Sequence, residues 1–131
     1  GRSGKGVGAI RLGKNASVVF AEQIKNGGDG DVLLMTEKGY AKLTPLIEFE
    51  EQGRNGKGLK AYQMSEASGL HIVGALLIDR IKIVTGIQKS GDMHKISTDS
   101  IPTGARNTRG EQVILAVMGD DVTMLYQNIF D

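Results

Sequence analysis

Apolar residues in this sequence occur in short runs separated by glycine-rich polar segments. The runs are four to nine residues long and rich in Val, Ile, Leu and Met, and Ile81-Lys82-Ile83 shows the period-two alternation of a half-buried strand. Glycine-bearing segments such as residues 26–30 and 89–92 are typical of hairpin turns. No segment keeps a 3.6-residue period long enough to predict a long helix. The pattern therefore predicts an all-β protein of short strands and tight turns.

The predicted strands recur in the same order along the chain. The first strand of each unit is predicted at residues 7–12, 59–64 and 111–116, and the second at 17–24 and 70–78. The third is predicted at 31–36 and 80–85, a pair that needs a small length adjustment. The turn glycines Gly39 and Gly91 lie 52 residues apart. Phe49 and Ile101, also 52 apart, end each unit on an apolar residue. The sequence thus contains a repeat with about four short strands per unit.

Three basic segments, at residues 1–6, 53–58 and 105–110, keep register at this 52-residue interval. The positions in register are Arg2, Arg54 and Arg106; Lys5, Lys57 and Arg109; and Gly6, Gly58 and Gly110. A unit of this size matches one blade of a radial β architecture. We expect a single, partial, propeller-like domain over residues 1–131, with two to three blades. The expected blade units are approximately residues 1–52 and 53–104, with a partial unit at 105–131.

The residue types in the basic segments suit a phosphate-bearing partner. In the second segment three glycines let the backbone approach a partner closely, and Arg54 and Lys57 can point the same way in a curled loop. Arg offers a planar fork for phosphate, Lys a compact charge, and exposed N–H groups add donors. The candidate contact residues are Arg2, Lys5, Gln52, Arg54, Lys57, Lys60, Arg106 and Arg109, with loop glycines Gly4, Gly6, Gly53, Gly56, Gly58 and Gly110. Successive loops of this kind would form a basic rim that fits a nucleic-acid backbone.

Two other interpretations of the basic segments are less favoured. A nucleotide-binding phosphate loop needs glycines five apart, then Lys and Ser or Thr, all entering a helix. Here Val7 or Leu59 follows the last glycine and a strand is predicted. A plain turn with solubilising charges would not need to keep register over three copies.

Composition adds few constraints. Hydrophobic residues make up 40% of the 131 residues and charged residues 24%, as in soluble globular proteins. The absence of Cys excludes disulfides and predicts a reducing cytoplasm, and neither a membrane-spanning run nor a signal peptide is visible. The net charge of +1 hides a clustering of bases in residues 1–14 and 52–60.

The remaining candidate residues carry no predicted chemistry. His71 and His94 have no cluster of further ligands, so we expect no metal site and no cofactor. The three tyrosines and five methionines are interpreted as packing residues, with Met filling the core. The tyrosines are Tyr40, Tyr62 and Tyr126.

The second basic segment and its surroundings resemble the C-terminal domain of the A subunit of bacterial DNA gyrase. The family's signature loop is Gln-Arg-Arg-Gly-Gly-Lys-Gly, and residues 52–58 match it except at Gly53 and Asn55. Residues 1–6 match its last six positions except at Gly1 and Ser3, whereas residues 105–110 keep only the basic residues and the final glycine. Residues 35–45 are similar to its typical blade segment. The corresponding domain of topoisomerase IV, with more degraded loops, is a close neighbour.

The resemblance implies a β-pinwheel that binds and wraps duplex DNA without chemistry of its own. The rest of such an enzyme's A chain, including the tyrosine that cuts DNA, would precede Gly1, and a B subunit would complete an ATP-dependent type II topoisomerase. A protein-interaction scaffold is the alternative, since a bladed fold does not fix function. If the basic segments share one rim, DNA is favoured over the scaffold.

The repeat count also predicts self-association. Two and a half blades cannot close a ring of five or six, so strand edges would remain open to another chain. We expect isolated chains to form homo-oligomers through these edges. The alternative is that the first and last segments complete each other's blade within one chain. No membrane partner is expected.

Overall fold

The computed structural model describes residues 9–11, 17–19, 30–48, 59–60 and 62–129, with only the backbone described at 9–11, 17–19 and 59–60. The strands are β1 (Ala9–Arg11), β2 (Ser17–Val19), β3 (Asp31–Thr36), β4 (Tyr40–Pro45), β5 (Leu59–Lys60), β6 (Ile72–Ile78), β7 (Ile83–Gln88), β8 (Met93–Ser97), β9 (Glu111–Gln112) and β10 (Val122–Gln127). Short 3-10 turns lie at Thr98–Ser100 and Val117–Gly119. The predicted all-β class is confirmed.

The strands form three antiparallel sheets. Sheet I has the order β1-β2-β5, sheet II the order β6-β3-β4-β9, and sheet III the order β10-β7-β8. Sheets II and III are alike: β6 flanks the β3–β4 hairpin as β10 flanks the β7–β8 hairpin. Their first hairpin strands begin 52 residues apart, at Asp31 and Ile83.

Sheet II combines strands from three parts of the sequence. β3 and β4 precede the second basic segment, β6 follows it, and β9 directly follows the third. Neighbouring repeats are therefore interlaced, because β3 pairs with β6 and β4 pairs with β9. The blade boundaries and the number of blades stay predictions.

The predicted strand bounds differ from the observed ones mainly at the ends. Residues 31–36 form a strand as predicted, and residues 70–78 form one from Ile72. The prediction for 80–85 is wrong: the strand begins at Ile83, so its 52-residue register with β3 needs no length adjustment. At Lys82 the chain is bound to Thr98 instead, since Lys82 N donates to Thr98 Oγ1 and Thr98 N to Lys82 O. Ile81 stays 67% exposed.

The strands that follow the basic segments are shorter than predicted. Only Glu111–Gln112 of 111–116 forms a strand, because the N–H groups of Val113 and Ile114 turn to the carbonyl of Gly39. Of 59–64, Leu59–Lys60 is a strand and Tyr62–Met64 is not. The strands within 7–12 and 17–24 are described at 9–11 and 17–19. Their other residues lie outside the described part of the chain.

The core has two layers that meet at β3. One cluster lies on one side of sheet II and contains Val32, Leu34, Leu46, Tyr62 and Ile72. The other joins sheets II and III and contains Leu33, Met35, Ala41, Leu43, Ile78, Val84, Ile101, Ile114, Val122 and Leu125. β3 is thus buried on both faces, which explains why its sequence is a continuous apolar run without alternation.

The turn prediction at Gly39 and Gly91 is confirmed, with φ of +80° and +97° between paired strands.

The prediction that the methionines fill the core holds for Met35 and fails for three others. Met93, Met118 and Met124 are 59%, 102% and 51% exposed, since they lie on outward positions of β8, a 3-10 turn and β10. In the described ranges, no helix has the length and hydropathy to cross a membrane.

Candidate nucleic-acid interface

The third basic segment, residues 105–110, is the one whose surroundings the structure describes. The chain reaches it along β4, because Leu43 N donates to the Pro102 carbonyl and Gly104 N donates to the Leu43 carbonyl, each at 2.8 Å. It leaves the segment through Gly110 into β9, which pairs with β4 at Tyr40 and Ala41. The segment therefore forms a loop over β4 at the edge of sheet II.

Lys42 of β4 lies beneath this loop and is fully buried. Its Nζ donates to the carbonyls of Ala105, Arg106 and Thr108 at 2.7, 2.8 and 2.8 Å. An ammonium group has three N–H donors, so each can have an acceptor in the loop. The ammonium therefore binds the backbone of the loop at three carbonyls.

Two tyrosines lie next to the cations of this region. Lys42 Nζ is 4.6 Å from the centroid of the Tyr62 ring, and Arg109 Cζ is 5.8 Å from that of the Tyr40 ring. Both distances are in the range of cation–π attraction. Tyr62 is buried in the core and Tyr40 packs against it, as predicted, but both rings also face a cation. Tyr126, on β10, is 36% exposed.

Burial shifts the pKa values of both Lys42 and Tyr62. It lowers the pKa of Lys42 to about 7, an effect that the Glu48 carboxylate opposes and the Arg106 guanidinium adds to. Burial also raises the pKa of the Tyr62 hydroxyl. Glu48 has a second role, since its Oε1 accepts a hydrogen bond from Arg106 N at 3.1 Å.

The two arginines of the loop differ in exposure. Arg109 is exposed and Arg106 is half-buried. Gly110 has φ of +74°, and a Cβ there would lie 2.2 Å from the Ala41 carbonyl oxygen. Gly110 thus lets the chain pass close to β4, which explains why a glycine is needed at this position of the basic segment.

The other predicted contact residues and glycines lie outside the described residues, except for the backbone of Lys60. These are Arg2, Lys5, Gln52, Arg54 and Lys57, and Gly4, Gly6, Gly53, Gly56 and Gly58. The strands that follow the three basic segments are β1, β5 and β9, and each is an edge strand of its sheet. That the segments share one rim stays a prediction. Within the described part of the chain, no group of three or more His, Asp or Glu side chains could hold a metal ion.

Sequence reasoning missed Lys42, Glu48 and the cation-facing role of Tyr40 and Tyr62. The alternation of Ala41, Lys42 and Leu43 suggests that Lys42 faces solvent. A loop more than sixty residues away covers it instead. One signal was present: Lys42 and Thr44 are polar residues on one face of a strand whose other face is apolar.

An array of interlaced antiparallel sheets, with the loop of the third basic segment leading into the edge of sheet II, is typical of a propeller-like β-repeat domain. The family described as the DNA gyrase C-terminal domain, beta-propeller, matches residues 1–25 and 30–70, just over half of the chain. The chain belongs to this family. The membership confirms the predicted resemblance and the bladed β class.

Similar proteins agree with this assignment. The gyrase A protein of Escherichia coli K12 is 32% identical over 120 residues, which cover 92% of this chain and 13% of that protein. A structure of the DNA gyrase A C-terminal domain superposes with a TM-score of 0.65 at 16% identity, over 77% of this chain and 34% of that one. The C-terminal domain of DNA topoisomerase IV gives 0.66 at 17% identity, over 86% and 33%. The chain therefore spans about an eighth of the gyrase protein that it resembles, and the structural likeness shows the fold.

Proposed function

We propose that this chain is the non-catalytic DNA-binding and DNA-wrapping module of the A subunit of a DNA gyrase. The proposal rests on the geometry of the third basic segment, in a chain that belongs to the family of the DNA gyrase C-terminal domain. Its backbone is bound by Lys42 and it exposes Arg109 beside the edge of sheet II. Duplex DNA is the proposed ligand, and the proposed partners are a B subunit and the rest of the gyrase A chain. The proposed location is the cytoplasm, at the nucleoid.

The proposed binding is electrostatic and led by phosphates. Arginines and lysines on the three basic segments replace counterions of the duplex, which gives affinity with little sequence preference. Since each segment leads into an edge strand, β1, β5 or β9, the segments can present their cations at successive places along one curved surface. DNA that follows this basic rim would bend around the domain, and the cost of bending would be offset by added phosphate contacts.

Charge reversal in pairs tests the binding site. Arg54→Glu with Lys57→Glu, and Arg106→Glu with Arg109→Glu, are each expected to weaken binding to duplexes of unrelated sequence alike. Arg80→Glu with Lys89→Glu is the matched control, because it changes the net charge equally at two exposed residues outside the basic segments. Equal loss in all three variants would contradict a localised site.

Wrapping needs a separate measurement, because a domain can bind DNA without bending it. Nicked circular DNA is closed by ligase in the presence of the protein, and the linking number is read on a gel. A shift that grows with protein concentration supports wrapping, and the basic-segment variants should reduce it. Tight binding with an unchanged linking number would reject wrapping and leave DNA binding.

A protein-interaction scaffold has one observation in its favour. Leu115, Val117 and Met118 are 67%, 61% and 102% exposed on a single segment next to β10. Exposed apolar groups of this kind occur at protein-binding surfaces. The scaffold would be preferred if the charge reversals left DNA affinity unchanged.

A further inference from the structure

The buried contacts of Lys42 lead to an inference about how the third basic segment is held. Three charge-assisted hydrogen bonds from one ammonium converge on the carbonyls of a four-residue stretch, 105–108. Such bonds are roughly twice as strong as neutral ones. Few other side chains could reach from a strand to three carbonyls at once.

The surroundings of Lys42 are organised around the same loop. Glu48 Oε1 accepts from Arg106 N at 3.1 Å, and Gln63 N donates to the Thr108 carbonyl at 3.1 Å. The Tyr62 ring lies 4.6 Å from Lys42 Nζ, on the core side. The loop is thus tied to the strand beneath it mainly through its backbone, which leaves the conformation of Arg106 and Arg109 dependent on that backbone.

We propose that Lys42 is the positioning residue of the third basic segment: its ammonium fixes the backbone of residues 105–108 so that Arg106 and Arg109 are presented together to DNA phosphate. Lys42 is buried and does not itself contact DNA. Its charge acts through the loop, because a loop held in its binding conformation avoids the cost of ordering when the ligand arrives. The inference rests on the proposed function.

Lys42→Met tests this role, since Met keeps much of the side-chain length and removes all three donors. Thr44→Val is the matched control: Thr44 lies on the same face of β4 and donates a single bond, to the Gly104 carbonyl at 2.7 Å, just before the segment. Hydrogen exchange of a peptide spanning 105–112 should become at least about tenfold faster in Lys42→Met, the scale of losing hydrogen bonds to a charged group. It should change little in Thr44→Val. Slow exchange in β3 confirms that each variant is folded.

A DNA measurement separates positioning from a purely structural role. If Lys42 positions both arginines, its substitution should reduce the slope of log affinity against log salt by up to about 2, one unit per lost phosphate contact. A purely structural role would lower the melting temperature and leave the slope unchanged, and that result would overturn the inference.

The failures of the two proposals can be told apart. If Arg106→Glu with Arg109→Glu leaves DNA affinity unchanged, this segment has no part in DNA binding, and the DNA role of Lys42 falls with it. If that variant weakens binding while Lys42→Met changes neither loop exchange nor salt slope, only the positioning inference is wrong.

A measurement on the unsubstituted chain covers the case in which Lys42→Met does not fold. Nitrogen-15 spectra should show the Lys42 ammonium protons exchanging slowly with water at pH 6, with through-hydrogen-bond couplings to the carbonyls of residues 105, 106 and 108. Exchange as fast as that of an exposed lysine would overturn the inference.

Discussion

The carbonyl oxygen of Gly39 accepts a hydrogen bond from the backbone N–H of Val113 at 2.8 Å. The contact joins the β3–β4 turn to the chain that leaves β9, more than seventy residues later. Val122 N donates to the Glu37 carbonyl at 2.8 Å in the same turn, and Lys38 Nζ is 3.0 Å from the Asp121 carboxylate. This turn is where sheet II, the third sequence unit and sheet III meet.

We predict that Gly39→Ala destabilises the chain more than Gly91→Ala. Both glycines have positive φ, which costs an L-residue about 1–2 kcal/mol. A Cβ at Gly39 would in addition lie 2.0 Å from the Ile114 carbonyl oxygen, whereas one at Gly91 meets nothing within 4 Å. The added clash should cost roughly another 1–3 kcal/mol. Urea unfolding of the two variants checks this, and equal free energies of unfolding would show that the Gly39 contact is not tight.

We predict a pH-dependent stability that originates at Lys42. Its pKa in the folded chain is lowered to about 7 from an ordinary value near 10.5. Between these values the unfolded chain holds more protons on Lys42 than the folded chain does, so this residue makes the free energy of unfolding rise with pH. The penalty of burying the charge is fully present below pH 7 and is relieved as the pH approaches 10.5. The Glu48 carboxylate favours the ammonium, which keeps the pKa from falling further.

Urea unfolding of the wild type and Lys42→Met at pH 6.5, 8.0 and 9.5 measures this effect. The wild type should gain stability relative to the variant as the pH rises. Titration of the remaining groups is shared by both chains and cancels in the difference. A difference that stays constant over the three pH values would contradict a lowered pKa.

We predict that isolated chains associate through strand edges. In sheet II the outer side of β4 is paired with β9, whereas its counterpart β8 is, among the described strands, one of the two edge strands of sheet III. An edge strand offers backbone N–H and C=O groups to another chain. Light scattering over a range of concentrations should show a mass that rises above 14.0 kDa. A 14.0 kDa particle at every concentration would favour completion of the blades within one chain.

Much of this fold could be predicted from local sequence signals. The bounds of β3 follow from its apolar run, and the turns at Gly39 and Gly91 follow from glycine spacing, because both depend on neighbouring residues. The start of β7 could not be predicted in this way: Ile81 continues the apolar alternation but Lys82 is bound by Thr98, sixteen residues later. Likewise, β6 and β9 belong to sheet II because they pair with β3 and β4, which are distant in sequence, and a local pattern does not predict such pairings.

The candidate site could likewise be predicted only in part from the sequence. The register of the basic segments points to Arg106 and Arg109, since charge and spacing are visible in the sequence. The burial of Lys42 is not visible, because the loop that covers it is more than sixty residues away. A lysine on a strand is ordinarily assigned to solvent.

The dependence of duplex DNA affinity on salt is the most direct test of phosphate-led DNA wrapping by this domain. Arg2, Lys5, Arg54, Lys57, Arg106 and Arg109 supply six candidate phosphate contacts on the three basic segments. Fluorescence anisotropy with labelled duplexes of unrelated sequence, between 50 and 200 mM salt, gives the slope of log affinity against log salt. We predict a slope of up to about −5 that is the same for all sequences. A slope near zero, or a strong preference for one sequence, would contradict phosphate-led wrapping.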